Sequence, residues 1–141
     1  VVGTQAWAWA SFGSGCAKMS GYATTNNENE DWLVSPAIDL SNKVGAILNV
    51  SQAANYVNGH PEFLKILASS DYNGTSDPST QGTWVELTVP TWPAGNNWNF
   101  VDSGDIDLSA FNGKSKVYIA FKYNSTSSIG STWEIGSVTV K

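Results

Sequence analysis

The chain has 141 residues with 7 basic and 12 acidic side chains, a formal charge of −5, and is long enough for one domain with its own core. Apolar residues make up 41% and aromatics 12%, too much for a disordered segment to leave in water. An acidic chain without Arg lacks the usual fork for phosphates and base edges, which excludes nucleic acid as an expected partner. One Cys and one His leave no internal disulfide and no zinc cluster, and no apolar run nears the roughly 18–20 residues that cross a bilayer.

Helical periodicity is nearly absent. Period-two alternation with β-branched and aromatic residues recurs instead between clusters of Gly, Pro, Asn and Ser, the pattern of strands with one face on a core. Nine strands are predicted, at roughly 4–11, 15–22, 31–38, 44–54, 62–70, 83–89, 98–107, 115–124 and 132–140. The first sets Trp7 and Trp9 on one face, where both are expected to lie under a neighbouring strand. The second carries Cys16 and the third Trp32, the latter expected in the core. Ala46, Leu48 and Val50 alternate in the fourth, Leu64, Ile66 and Ala68 in the fifth, and Val85, Leu87 and Val89 in the sixth. Val117, Ile119, Phe121 and Tyr123 do so in the eighth. In the last strand Trp133, also expected in the core, and Ile135 share one parity while Val138 and Val140 share the other, so Gly136-Ser137 is predicted to form a bulge. With no repeat, heptad or linker-like run, residues 1–141 read as a single domain, an all-β antiparallel β-sandwich, a jelly roll of about nine strands. Its opening at Val1-Val2-Gly3-Thr4 reads as the cut end of a longer chain.

The string Asn29-Glu30-Asp31-Trp32-Leu33-Val34-Ser35-Pro36-Ala37-Ile38-Asp39-Leu40-Ser41 resembles the signature of the choice-of-anchor J domains. These are bacterial β-sandwiches related to the cleaved adhesin domains of Bacteroidetes surface proteins. Gly3-Thr4-Gln5-Ala6-Trp7 and Met19-Ser20-Gly21-Tyr22 resemble the family's opening, and Ser69-Ser70-Asp71-Tyr72-Asn73-Gly74 its middle. Ser103-Gly104-Asp105-Ile106-Asp107-Leu108-Ser109 and Tyr118-Ile119-Ala120-Phe121-Lys122-Tyr123 resemble its later strands, and Thr132-Trp133-Glu134-Ile135 its end. The resemblance spans nearly the whole chain and implies a jelly-roll sandwich, secreted or cell-surface placement, and non-catalytic binding or adhesion. Two positions depart from it. Members begin with an additional acidic strand ahead of this chain's start, and they carry Asp where this chain has Gly136. In related sandwiches those two acidic positions help hold a structural calcium, so the resemblance brings no calcium site here. No cofactor is expected; structural calcium is the most plausible metal, because hard oxygen ligands are abundant, but it is not favoured.

Positioned catalytic groups are scarce. His60 precedes Pro61 after the loop Asn55-Tyr56-Val57-Asn58-Gly59, and Cys16 beside Ala17 reads as a small buried hydrophobe, so nothing pairs the two as nucleophile and base. Glu62, Glu86 and Glu134 are candidates for the paired carboxylates of a glycosidase, but Glu86 alternates with Val85 and Leu87 as a solvent-facing residue and spacing shows no pair. Asp71-x-Asn73-Gly74 opens like a calcium loop, yet its twelfth position is Gly82 rather than Glu. The chain is therefore not expected to be an enzyme.

Seven Trp is many for so small a core, because each indole N–H wants a partner when buried. Trp92 and Trp98 fall in Thr91-Trp92-Pro93-Ala94-Gly95-Asn96-Asn97-Trp98, a loop by its Pro, Gly and Asn, where large aromatics need a reason. A pyranose offers that reason: its C–H face stacks on an indole, and its rim of hydroxyls bonds amides and charged groups. The expected ligand-binding residues are Trp92, Trp98, Tyr56, Asn55 and His60, with Tyr118 and Lys122 on outward strand parities. Asn49, Ser51, Lys65 and Glu134 share that parity. The predicted function is a non-catalytic carbohydrate-binding module for a neutral plant β-glycan, appended to a larger secreted glycan-degrading protein. The alternative is an adhesin or spacer domain of a bacterial cell-surface protein that contacts proteins or a host surface; a catalytic glycosidase or lyase comes third. The expected partners are a polysaccharide or oligosaccharide and covalently linked neighbouring domains, with the chain a secreted or surface-displayed monomer that does not insert in a membrane.

Overall fold

A strand that alternates apolar and polar residues buries one face, and two such sheets close their apolar faces on one another. In the computed structural model, which describes residues 2–141, the strands are β1 (Ala8–Ala10), β2 (Cys16–Ser20), β3 (Tyr22–Ala23), β4 (Thr25–Asn26), β5 (Asn29–Val34) and β6 (Ile47–Asn55). They continue with β7 (Leu64–Ser69), β8 (Val85–Glu86), β9 (Val101–Asp102), β10 (Ile106–Asp107), β11 (Tyr118–Ser125) and β12 (Thr132–Val140). One six-stranded sheet runs β1-β2-β12-β6-β10 with β9 also on β6, a four-stranded sheet runs β5-β11-β7-β8, and β3-β4 form a separate hairpin. All of these pairings are antiparallel. The two sheets of the predicted sandwich therefore hold ten strands rather than nine. One reason is that the segment predicted at 98–107 breaks in two at Ser103-Gly104, where Asp102 Oδ1 accepts the Gly104 N–H at 2.8 Å.

Trp133 is the hub of the core. It is fully buried, and its ring centroid lies 5.7 Å from Trp7, 5.8 Å from Phe121 of the opposite sheet and 5.9 Å from Trp92. Its N–H donates to Gln52 Oε1 at 2.9 Å, which satisfies the one polar group that burial would otherwise strand. The predicted bulge is present: Ile135 pairs with Gln52 but Ser137 with Ser51, so Gly136 is the extra residue. A Cβ there would lie 3.0 Å from the Phe100 ring.

Two expectations for the indoles are corrected. Trp32 is half-buried on the outer face of the four-stranded sheet, because Leu33 takes the inward position and a loop covers the outside as well. Trp9 is not buried: β1 is the outermost strand of its sheet, so Trp9 projects past the edge and is 77% exposed, while Trp7 packs on Trp133.

Candidate functional site

The register of the six-stranded sheet fixes what faces outward. Met19, Trp133 and Ala54 pair across β2, β12 and β6 and point into the core. The neighbouring rows therefore form the outer floor: Lys18, Glu134 and Ala53 in one, Ser20, Thr132 and Asn55 in the next. Thr132 Oγ1 donates to Ser20 Oγ at 2.9 Å across that second row.

Loops bring aromatics over this floor. Phe12, from the turn after β1, and Trp98 lie parallel, 7° apart with centroids at 6.1 Å, and Tyr56 meets Trp98 edge-on at 5.8 Å. Lys18 rises from the floor to place its ammonium 5.3 Å from the Phe12 centroid and 5.9 Å from that of Trp98, within cation–π range of both. Trp98 is 40% exposed and Tyr56 56% exposed. Tyr56 sits at φ 57°, a left-handed conformation that is costly for a bulky side chain, by roughly 1–3 kcal/mol. The surrounding loop enforces it: Val57 N donates to Gly95 O at 3.0 Å, and Gly95 lies so close that a Cβ on it would be 3.0 Å from Val57 Cβ. The Tyr56 ring thereby stands between two hollows. One, of about 710 Å³, is lined by Lys18, Ser20, Tyr22, Tyr56, Asn58 and Thr132 among others, with Tyr22 supplied by the β3-β4 hairpin. The other, of about 570 Å³, includes Asn55, Tyr56, Asn58 and the stretch Pro93 to Asn96.

Glu134 lies on the floor beside Lys18 with no exposed surface, and among the described residues neither of its carboxylate oxygens has a hydrogen-bond partner. Burial pushes its carboxyl above the ordinary 4.5, against a weaker opposing pull from Lys18. Cys16 is buried on the same face, and burial, then the charge of Glu134, push its thiol up, away from nucleophilic use.

The structure divides the expected ligand residues. Tyr56 and Trp98 come together above the six-stranded sheet, and Asn55 lies beneath them, its Oδ1 accepting the Tyr56 N–H at 2.8 Å. Trp92, 37% exposed, closes the core over Trp133 and does not join Trp98 in a stack. His60 lines neither hollow, and is paired through Nδ1 with Glu62 Oε1 at 2.9 Å and stacked on Phe63. Tyr118 and Lys122 belong to the other sheet. Phe12, Lys18 and Tyr22 were not singled out by the sequence. The signal for Phe12 was available, since Ser11-Phe12-Gly13-Ser14-Gly15 is, like the Trp98 loop, an aromatic among turn formers.

On the outer face of the four-stranded sheet, rings run in a connected row. Trp32 to Trp84 is 5.5 Å, Trp84 to Tyr72 5.2 Å, and Tyr72 to Tyr118 5.1 Å. The loop after β7 closes over this row, and the Trp84 N–H donates to Pro78 O at 2.9 Å. Asp71 latches the loop: its Oδ1 accepts from Thr83 N at 2.6 Å and from Ser69 Oγ at 2.7 Å, and its Oδ2 from Thr83 Oγ1 at 2.7 Å. These bonds, the Thr83 backbone N–H first, hold its carboxyl down at about 2. Lys122 lies 4.9 Å from the Trp32 ring and 3.3 Å from Glu30 Oε2, whose Oε1 accepts the Trp32 N–H at 2.9 Å. Asn73 spends its Oδ1 on the Thr75 and Ser76 N–H groups, a self-satisfied turn rather than a cation loop. Among the described residues no three His, Cys, Asp or Glu side chains converge to hold a metal ion.

A family model described as a domain of unknown function, DUF5017, matches residues 37–141. Among solved structures, the chain is similar to the K1 cleaved adhesin domain of Lys-gingipain from Porphyromonas gingivalis W83. The TM-score is 0.54 at 18% identity, over 90% of this chain and 73% of that one. The likeness is one of fold, and it agrees with the cleaved-adhesin side of the sequence resemblance; membership of the choice-of-anchor J domains is not shown by it. No curated protein matches the chain.

Proposed function

The chain belongs to the DUF5017 family, and we propose that it is a non-catalytic, adhesin-like recognition domain of a secreted or cell-surface bacterial protein that holds a neutral glycan on the outer face of its six-stranded sheet. One observation carries this reading: Tyr56 stands in a left-handed backbone between two hollows, edge-on to a parallel Phe12–Trp98 pair. Backbone strain of that kind persists where the surroundings over-determine it, as at binding sites. Half-exposed rings give a sugar its stacking surface, and Asn58, Ser20 and Thr132 offer hydrogen-bonding groups for its rim. A net charge of −5 weighs against polyanionic chains. Titration of soluble β-glucan, xylan and mannan against the chain, read by Trp fluorescence and by retardation in affinity gels, tests it. Binding to at least one is expected, and silence with all three contradicts the glycan assignment.

The second reading is contact with a protein surface without a sugar, in an adhesin or spacer role. The fold shared with a cleaved adhesin domain favours it, as does Trp9, which stands 77% exposed on the edge strand β1 and lines neither of the two large hollows.

A further inference from the structure

Among the described residues several buried polar atoms lack a hydrogen-bond partner, Asn49 Oδ1 and Gln52 Nε2 among them, but Glu134 is the case where both oxygens of a carboxylate do, against the rule that buried polar groups are paired. Its direct cross-strand partner is Lys18, and the usual outcome for a buried Glu beside a Lys is an ion pair. Lys18 instead extends past it and holds its ammonium against the Phe12 and Trp98 rings. Lys18 also lines the large hollow on one side and a smaller one, of about 270 Å³, on the side of β1. A sugar ring laid against Phe12 and Trp98 on the side that Lys18 occupies meets its ammonium directly.

We infer that Lys18 and Glu134 are the specificity-determining pair of this site, a donor and an acceptor that together grip vicinal hydroxyls of a pyranose stacked on Phe12 and Trp98. The inference rests on the glycan reading above and narrows it to a ring with two adjacent free hydroxyls. A hydroxyl both accepts, from the ammonium, and donates, to the carboxylate. The charges explain why the ligand is neutral. The pair sums to zero: Lys18 opposes a cationic ligand and Glu134 an anionic one. The pairing also accounts for a carboxylate left without donors: the bound ring supplies them, and its hydrogen bonds to a charged acceptor are the strong kind. Glu134 is thus held at a cost to the fold in the free state and is repaid on binding.

The test uses the full chain, the glycan among β-glucan, xylan and mannan that binds, and the variants Glu134→Gln and Lys18→Met, with Glu86→Gln on the opposite sheet as control. Each site variant is expected to weaken binding by about tenfold or more, the factor for one lost hydrogen bond to a charged group, while Glu86→Gln binds as the parent does. Glu134→Gln is also expected to melt no lower than the parent at pH 7, which a merely structural carboxylate would not allow. Unchanged affinity in a folded Glu134→Gln, or a melting point that falls together with affinity, overturns the inference. Lys18→Met gives an independent reading, and full affinity in that variant likewise overturns it. A parent chain that binds none of the three glycans overturns the glycan reading itself, a different failure from a parent that binds and a Glu134→Gln that binds equally well.

Discussion

The two outer faces of the sandwich are built from the same materials and end differently. Each carries aromatic rings, a Lys near a ring, and an acidic residue on a strand. On the four-stranded sheet these groups are mutually satisfied: Glu30 takes both the Trp32 N–H and Lys122, Lys65 pairs with Glu86 at 2.7 Å, and Asp71 binds the loop that covers the rings. On the six-stranded sheet Glu134 is unpaired, Tyr56 is strained and hollows remain beside the rings. Local consistency marks the face that holds the fold together; its violation marks the face kept for a ligand.

Substitutions should separate the two. The largest effect on stability is expected from Trp84→Ala, which uncovers Trp32 and Tyr72; it should lower unfolding free energy by about 2–3 kcal/mol in urea denaturation, with glycan affinity unchanged. Trp98→Ala should do the reverse, weakening binding by about 1–3 kcal/mol in titration calorimetry while shifting stability by less than about 1 kcal/mol. A Trp84→Ala chain that lost its glycan would merge the two faces and end the comparison.

Acid should also divide them, with opposite signs. Asp71 is held at about 2, below its ordinary 3.8, so its stabilising share is complete above 3.8 and is lost as pH falls through about 2. Fluorescence of Trp84 should report loosening of the covering loop in that window, and Asp71→Asn should abolish the step. Glu134 is raised above 4.5, so the folded state is favoured by its protonated form and stability declines as pH climbs from 4.5 through the raised value. The smallest effect belongs to His60→Ala. Its ring is satisfied by Glu62 at the surface, so stability should move within about 0.5 kcal/mol and affinity not at all, measured by the same two methods.

Much of the fold was legible because it is local. The parity switch between Ile135 and Val138 can be read without any partner strand, and it located the bulge. Trp133 shares its parity with Ile135 and is buried as that implies. What pairs with what is not local. Asn49, Ser51 and Glu134 share an outward parity with Lys65, Tyr118 and Lys122, but β6 and β12 belong to one sheet and β7 and β11 to the other. Trp32 escaped for a related reason: alternation marks one buried face and is silent on a loop that covers the second. Glu134 was visible as an outward strand residue, but its isolation from every donor depends on where Lys18 sends its ammonium, which the sequence does not record.

The most direct measurement pairs two numbers for Glu134→Gln, its melting temperature at pH 7 and its affinity for the glycan. If the carboxylate is held for a ligand, the melting temperature rises, by roughly 2–4 °C for each kcal/mol relieved in a chain of this size, while affinity falls about tenfold or more. A variant that melts lower and binds as tightly as the parent would contradict the account.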